Sequence, residues 1–122
     1  MIEIIPIKLD SGTAIGVSVQ YPKTTLLSIN TDVGYIMCGV LDVETVDTLH
    51  EDRRVIAAQL INVKNFADML DAKVSKATKE ALILGIIPGK TSGKEALELM
   101  FKYQQINESF SSALDKGRQQ IV

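Results

Sequence analysis

A chain of 122 residues is the size of one domain, and its 46% hydrophobic and 23% charged residues place it with globular proteins and not with disordered ones. Thirteen basic against fifteen acidic side chains leave a formal charge of −2, and the cations are scattered among acids, which excludes the basic face that nucleic acid requires. A single cysteine, Cys38, rules out an internal disulfide, and the longest apolar runs fall well short of the ~20 residues of a spanning helix, so the expectation is a cytoplasmic chain with no membrane partner.

The start, Met1-Ile2-Glu3-Ile4, has neither the basic nor the apolar region of a signal peptide. Ile2 to Leu9 supplies apolar, β-branched residues around Pro6, which has no N–H for a ladder and so predicts an edge strand or an irregular stretch there. Ser11-Gly12 is a turn signal, and Thr13 to Tyr21 alternates with Ile15, Val17 and Val19 on one face. Pro22-Lys23 ends that strand. Thr24 to Asn30 and Tyr35 to Leu41 follow, joined through Asn30-Thr31-Asp32, which predicts an antiparallel meander. Asp42 reads as the N-cap of a short helix over Val43 to His50, with Glu44 adding charge at the positive end of its dipole. Glu51 to Arg54 is a charged loop.

Val55 to Ile61 is nearly all apolar and predicts a strand covered on both faces. Asn65 caps a helix over Phe66 to Leu70, Lys73 to Ser75 reads as a brief strand, and a further helix runs from Thr78 to Gly85, a residue suited to the left-handed C-terminal position. After a loop over Ile86 to Thr91, Ser92 and Glu95 form a capping box for a long helix. Along it Leu99, Tyr103, Ile106, Phe110 and Ala113 make a heptad seam, and Gly117 is expected to end it, with Arg118 to Val122 frayed. The stretch before Tyr103 is expected to pack on the sheet and the stretch after it to reach a partner chain.

Gly85, Gly89, Lys90 and Thr91 suggest a phosphate loop, but the interval from Gly85 to Gly89 is four residues, one fewer than that loop needs for its N–H groups to cradle phosphates. A C-cap, a turn and an N-cap in sequence account for these residues. Cys38, between Gly34 and Gly39 in Gly-Tyr-Ile-Met-Cys-Gly, is the one nucleophile to weigh. A thiol there attacks only if a base or a helix dipole lowers its pKa. The single imidazole, His50, lies about 12 Å along the helix from its start, and a free cysteine is most often a packed core residue. One His and one Cys make no familiar zinc site, so no metal or cofactor is expected. Asp52-Arg53-Arg54 offers a guanidinium fork for an anion, or a surface ion pair.

Tyr21-Pro22-Lys23-Thr24-Thr25-Leu26, Gly34 to Val43, Asp52-Arg53, Leu70-Asp71-Ala72, Leu84-Gly85-Ile86 and Gly-Lys-Glu-Ala-Leu at 93–97 stand in an order that resembles the YunC-like family of bacterial and archaeal proteins. The resemblance runs from about Ile5 to Met100. It implies a compact α+β fold and a homo-oligomer, and it implies no established activity or catalytic residue. Two features depart from the family pattern: Gly89-Lys90-Thr91-Ser92-Gly93 is one residue longer than the family loop, and residues after Tyr103 extend beyond the usual end. The expectation is therefore an α+β domain over 1–103, a mostly antiparallel sheet with short helices and a long C-terminal helix packed largely on one face, and a helical extension over 104–122. Its function is expected to be that of a homo-oligomeric small-molecule-binding or regulatory module. A small anionic ligand would sit where a strand feeds a helix, around Gly34, Cys38, Gly39, Asp42 and Arg53. The alternatives are a thiol-dependent enzyme with Cys38 as catalytic residue, and a structural interaction module assembled through its sheet edges and C-terminal helix.

Overall fold

The computed structural model describes residues 1–39 and 54–121, with side chains described as far as Ser109. The helix expected over Val43 to His50, with its cap Asp42, lies outside the described residues.

The chain is α+β. A six-stranded sheet runs in the order β1 (Ile2–Lys8), β2 (Thr13–Tyr21), β3 (Thr24–Asn30), β4 (Gly34–Cys38), β5 (Ile56–Leu60) and β6 (Lys76–Ala77). The first four strands form the expected antiparallel meander, and β6 is antiparallel to β5. β4 and β5 pair in parallel, Gly34 with Ile56 through Cys38 with Leu60. Every residue of β5 is buried, as its nearly all-apolar run implies.

β1 is the edge strand. Gln20 N–H donates to Met1 O at 2.9 Å, which makes Met1 and Gln20 a hydrogen-bonded pair. Antiparallel pairs alternate in this respect, so Glu3, Ile5 and Ile7 turn their backbone groups toward β2 while Ile2, Ile4 and Pro6 turn theirs outward. Pro6 therefore costs the ladder nothing.

One face of the sheet carries the core. Ala14, Leu27, Ile29, Ile36, Ala58 and Leu60 point into it and meet α1 (Phe66–Asp71), α2 (Lys79–Leu84) and the first turns of α3 (Gly93–Ile121), whose Leu97 and Met100 are fully buried. The caps are those expected: Asn65 Oδ1 accepts from Asp68 N–H at 2.8 Å, Thr78 precedes α2, and Gly85 closes it at φ +103°. Glu95 N–H donates to Ser92 Oγ at 3.1 Å and Ser92 N–H to Glu95 Oε1 at 3.3 Å, closing the capping box. That Ser92 backbone bond, with the Ser92 hydroxyl, holds the Glu95 carboxyl below its usual range.

Three boundaries differ from expectation. The strand after α1 is Lys76–Ala77, and not Lys73 to Ser75, because Ser75 N–H and Thr78 N–H donate to Gln59 O and Ala57 O and set the register between them. Lys73 makes only an isolated bridge to Ser92. Gly117 does not end α3, which runs unbroken to Ile121; a helix tolerates an interior glycine at a cost of about 1 kcal/mol. β4 stops at Cys38, short of the Leu41 expected, with Gly39 already in a turn. No helix among the described residues is long and apolar enough to cross a membrane.

Candidate functional site

Both strands of the parallel pair end on the same side, at Cys38-Gly39 and at Leu60-Ile61. In open sheets, ligands gather beyond the carboxyl ends of parallel strands, where the chain leaves the sheet. Of the site residues expected from sequence, Cys38 and Gly39 fall at this end.

Cys38 faces the core. It is 4% exposed and clusters with Leu27, Ile36 and Leu60, and its Sγ accepts the backbone N–H of Leu27 at 3.3 Å. Gly39, one step on, is exposed. A Cβ built there would lie 3.6 Å from Gln59 Nε2 and 3.3 Å from Ile61 Cγ2, so the bare glycine backbone lies alongside the Gln59 amide. Gly34 stands at the opposite end of β4, about 16 Å from Gly39 at the usual strand rise, where a Cβ would come 2.5 Å from Ile56 O and bar the close approach of β4 to β5. The structure thus brings Cys38 and Gly39 together and sets Gly34 apart from them. Asp42 and Arg53 lie outside the described residues.

Gln59 is the residue that sequence reasoning missed. It lies opposite Met37 in β5 and is only 8% exposed. Its backbone oxygen accepts from Ser75 N–H at 2.8 Å and from Ser75 Oγ at 2.9 Å. Its side-chain Oε1 is buried and has no partner among the described residues. A buried acceptor left unmade costs about 1–3 kcal/mol, and among the described residues Gln59 Oε1 shares that state with Glu98 Oε1 and Gln104 Oε1. The signal was present: Gln59 is the single polar residue in Val-Ile-Ala-Ala-Gln-Leu-Ile, a run read as buried on both faces.

A concavity of about 300 Å³ opens at the other end of the molecule between the β3–β4 turn and α3. There Gln104 Nε2 donates to Asp32 Oδ2 at 3.0 Å and to Glu108 Oε1 at 3.2 Å. The first of these bonds ties α3 to the β3–β4 turn, and the two carboxylates give the cleft the wrong sign for an anion. No group of three or more His, Cys, Asp or Glu among the described residues is placed to hold a metal.

Residues 37–100 match the family model "Domain of unknown function (DUF1805)". The chain is 36% identical over 102 residues to the "Uncharacterized protein YunC" of Bacillus subtilis (strain 168), an alignment covering 84% of this chain and 100% of that protein. It is also similar to the crystal structure of a protein of unknown function, TA1206, from Thermoplasma acidophilum, with 35% identity and a TM-score of 0.65 over 73% of this chain and 83% of that one. The matched span holds Cys38, Gly39 and Gln59. Every residue lining the acidic cleft lies outside it.

Proposed function

The chain belongs to the DUF1805 family, and from that premise we propose that it is a small-molecule-binding or regulatory module whose site is the carboxyl end of the β4–β5 pair. The observation that carries this is the buried Gln59 amide, with an oxygen that has no partner among the described residues, lying beside Gly39 inside the span that the family model matches. The ligand is small and polar. It offers Gln59 Oε1 a hydrogen-bond donor, and it carries an anionic group suited to the guanidinium that the sequence places at Arg53. The chain acts in the cytoplasm.

The burial of Cys38 favours binding over thiol chemistry, because a nucleophile must reach its substrate.

Gln59→Met tests the reading. The substitution roughly conserves volume and removes the unpaired acceptor, so the free protein is expected to gain about 1 kcal/mol. That raises the melting temperature by a few degrees for a chain of this size. In a thermal-shift series with small carboxylates and phosphates, the native protein is stabilised by a member of the series by mass action, and Gln59→Met loses that response. A Gln59→Met protein less stable than the native one makes the amide a structural group and sinks the proposal.

A further inference from the structure

A cavity of about 310 Å³ opens at the amino ends of the parallel pair, where the β3–β4 turn faces the start of β5. Its size is at the lower end for ligand pockets and suits a small molecule. Gly34 creates it. A Cβ there would meet Ile56 O, so the bare glycine brings the turn that carries Asp32 close to β5 and to Arg54 before it. Gly34 and the guanidinium fork of the charged loop, both singled out in the sequence and unused at the carboxyl end, thus meet here.

Three polar groups line the cavity with bonding capacity to spare. The Arg54 guanidinium and the Tyr35 hydroxyl have no hydrogen-bond or ion-pair partner among the described residues, although Asp32 lines the same cavity. Arg54 is exposed and holds φ +52°, a backbone that a long side chain seldom adopts and that recurs at ligand clamps. Tyr35 is half-buried, and burial raises the pKa of its hydroxyl, which stays a protonated donor at neutral pH. Asp32 gives one carboxylate oxygen to Gln104 Nε2 at 3.0 Å and keeps the other. Its turn is fixed by the Thr31 hydroxyl, which donates to Gly34 O at 2.8 Å and accepts from Gly34 N–H at 3.0 Å. Val33, Val55 and Ile56 supply the apolar wall.

We propose that this cavity binds an α-amino acid with a short aliphatic side chain, its carboxylate held by Arg54 and Tyr35 and its ammonium group by Asp32. A cation and a carboxylate that share a cavity without pairing are complementary to a zwitterion. A plain anion would be opposed by Asp32, and a plain cation by Arg54. The guanidinium matches a carboxylate with two parallel N–H···O bonds, and the phenol adds a third. The apolar wall receives the side chain.

Isothermal titration calorimetry of the full chain with L-valine, isobutylamine and 3-methylbutanoate tests this. The last two are valine without its carboxylate and valine without its ammonium group. L-valine is expected to bind, and each analogue to bind about tenfold more weakly or worse. Arg54→Gln is expected to weaken L-valine by about tenfold or more, and Tyr35→Phe by about threefold to tenfold. Asp32→Asn is expected to narrow the gap between L-valine and 3-methylbutanoate. Gln59→Met leaves L-valine binding unchanged, so this site and the one at the carboxyl end stand or fall separately. Arg54 and Asp32 are exposed, so their variants keep the native circular dichroism spectrum and carry the test if Tyr35→Phe does not fold. No binding of L-valine, L-leucine or L-alanine up to about 10 mM overturns the assignment. So does 3-methylbutanoate binding as tightly as L-valine, and so does L-valine binding that survives both Arg54→Gln and Asp32→Asn.

Discussion

Gly93→Ala is expected to destabilise the protein by about 2 kcal/mol, lowering its melting temperature by roughly 8 °C. Two effects oppose each other at this position. Alanine is the better helix former by about 1 kcal/mol, and Gly93 is the first residue of α3, so propensity alone favours the substitution. Packing forbids it. A Cβ on Gly93 falls inside the contact distance of the Met69 carbonyl oxygen and comes 3.2 Å from Ile36 Cδ1. Neither neighbour is free to move: Met69 is fully buried in α1, and Gly93 N–H is held by Ala72 O at 2.9 Å. The methyl group must therefore lever α1 away from α3, and overpacking of that kind costs about 1–3 kcal/mol or more, with well-packed neighbours at the upper end. Chemical denaturation of Gly93→Ala measures the sum, and a variant as stable as the native protein would mean that α1 and α3 slide apart freely.

Thr78→Val is expected to cost about 3–4 kcal/mol although it preserves shape. Thr78 is fully buried, and its hydroxyl is shared among three backbone groups. It donates to Val55 O at 2.6 Å, accepts from Ala57 N–H at 3.1 Å, and accepts from Ala81 N–H at 3.4 Å as the cap of α2. Valine leaves the Ala57 N–H buried and unpaired, which costs about 1–3 kcal/mol, and removes a cap worth about 1 kcal/mol. Against a typical total of 5–15 kcal/mol this is a large fraction. Thr78→Ser retains the hydroxyl and is expected to lose about 1 kcal/mol or less. A loss in Thr78→Ser as large as that in Thr78→Val would contradict this, because serine keeps the hydroxyl that makes all three bonds.

The parts of the fold that the chain announces are those decided locally. Asn65, Thr78, Gly85 and the Ser92–Glu95 box each act within four residues of their own position, so their chemistry reads directly from their spacing. The direction of β5 is decided elsewhere: parallel or antiparallel pairing depends on how the connection from β4 crosses the sheet, and Val-Ile-Ala-Ala-Gln-Leu-Ile suits either. The orientation of Cys38 was hidden for a related reason. Ile36, Met37 and Cys38 are all apolar and all buried, so no alternation marks which of them faces the helices. Their partners decide it: Cys38 lies level with Leu60 and under Leu27, whereas Met37 lies beside Gln59 on the opposite face. Gln59 itself was legible as an anomaly, but its meaning came from Gly39, which no spacing in the sequence connects to it.

The central claim is that the end of β4 serves a binding module and that its thiol belongs to the core. The most direct test is the rate at which Cys38 is alkylated in the native protein between about pH 5 and 10, with the unfolded chain as reference. A core cysteine reacts only through opening, so native labelling is expected to be slower by a factor of about 10³ or more, following the small fraction of molecules that open. Rapid labelling near neutral pH without unfolding would contradict the account, because it would mean an accessible, activated thiol at the strand end and a reaction in place of a binding event.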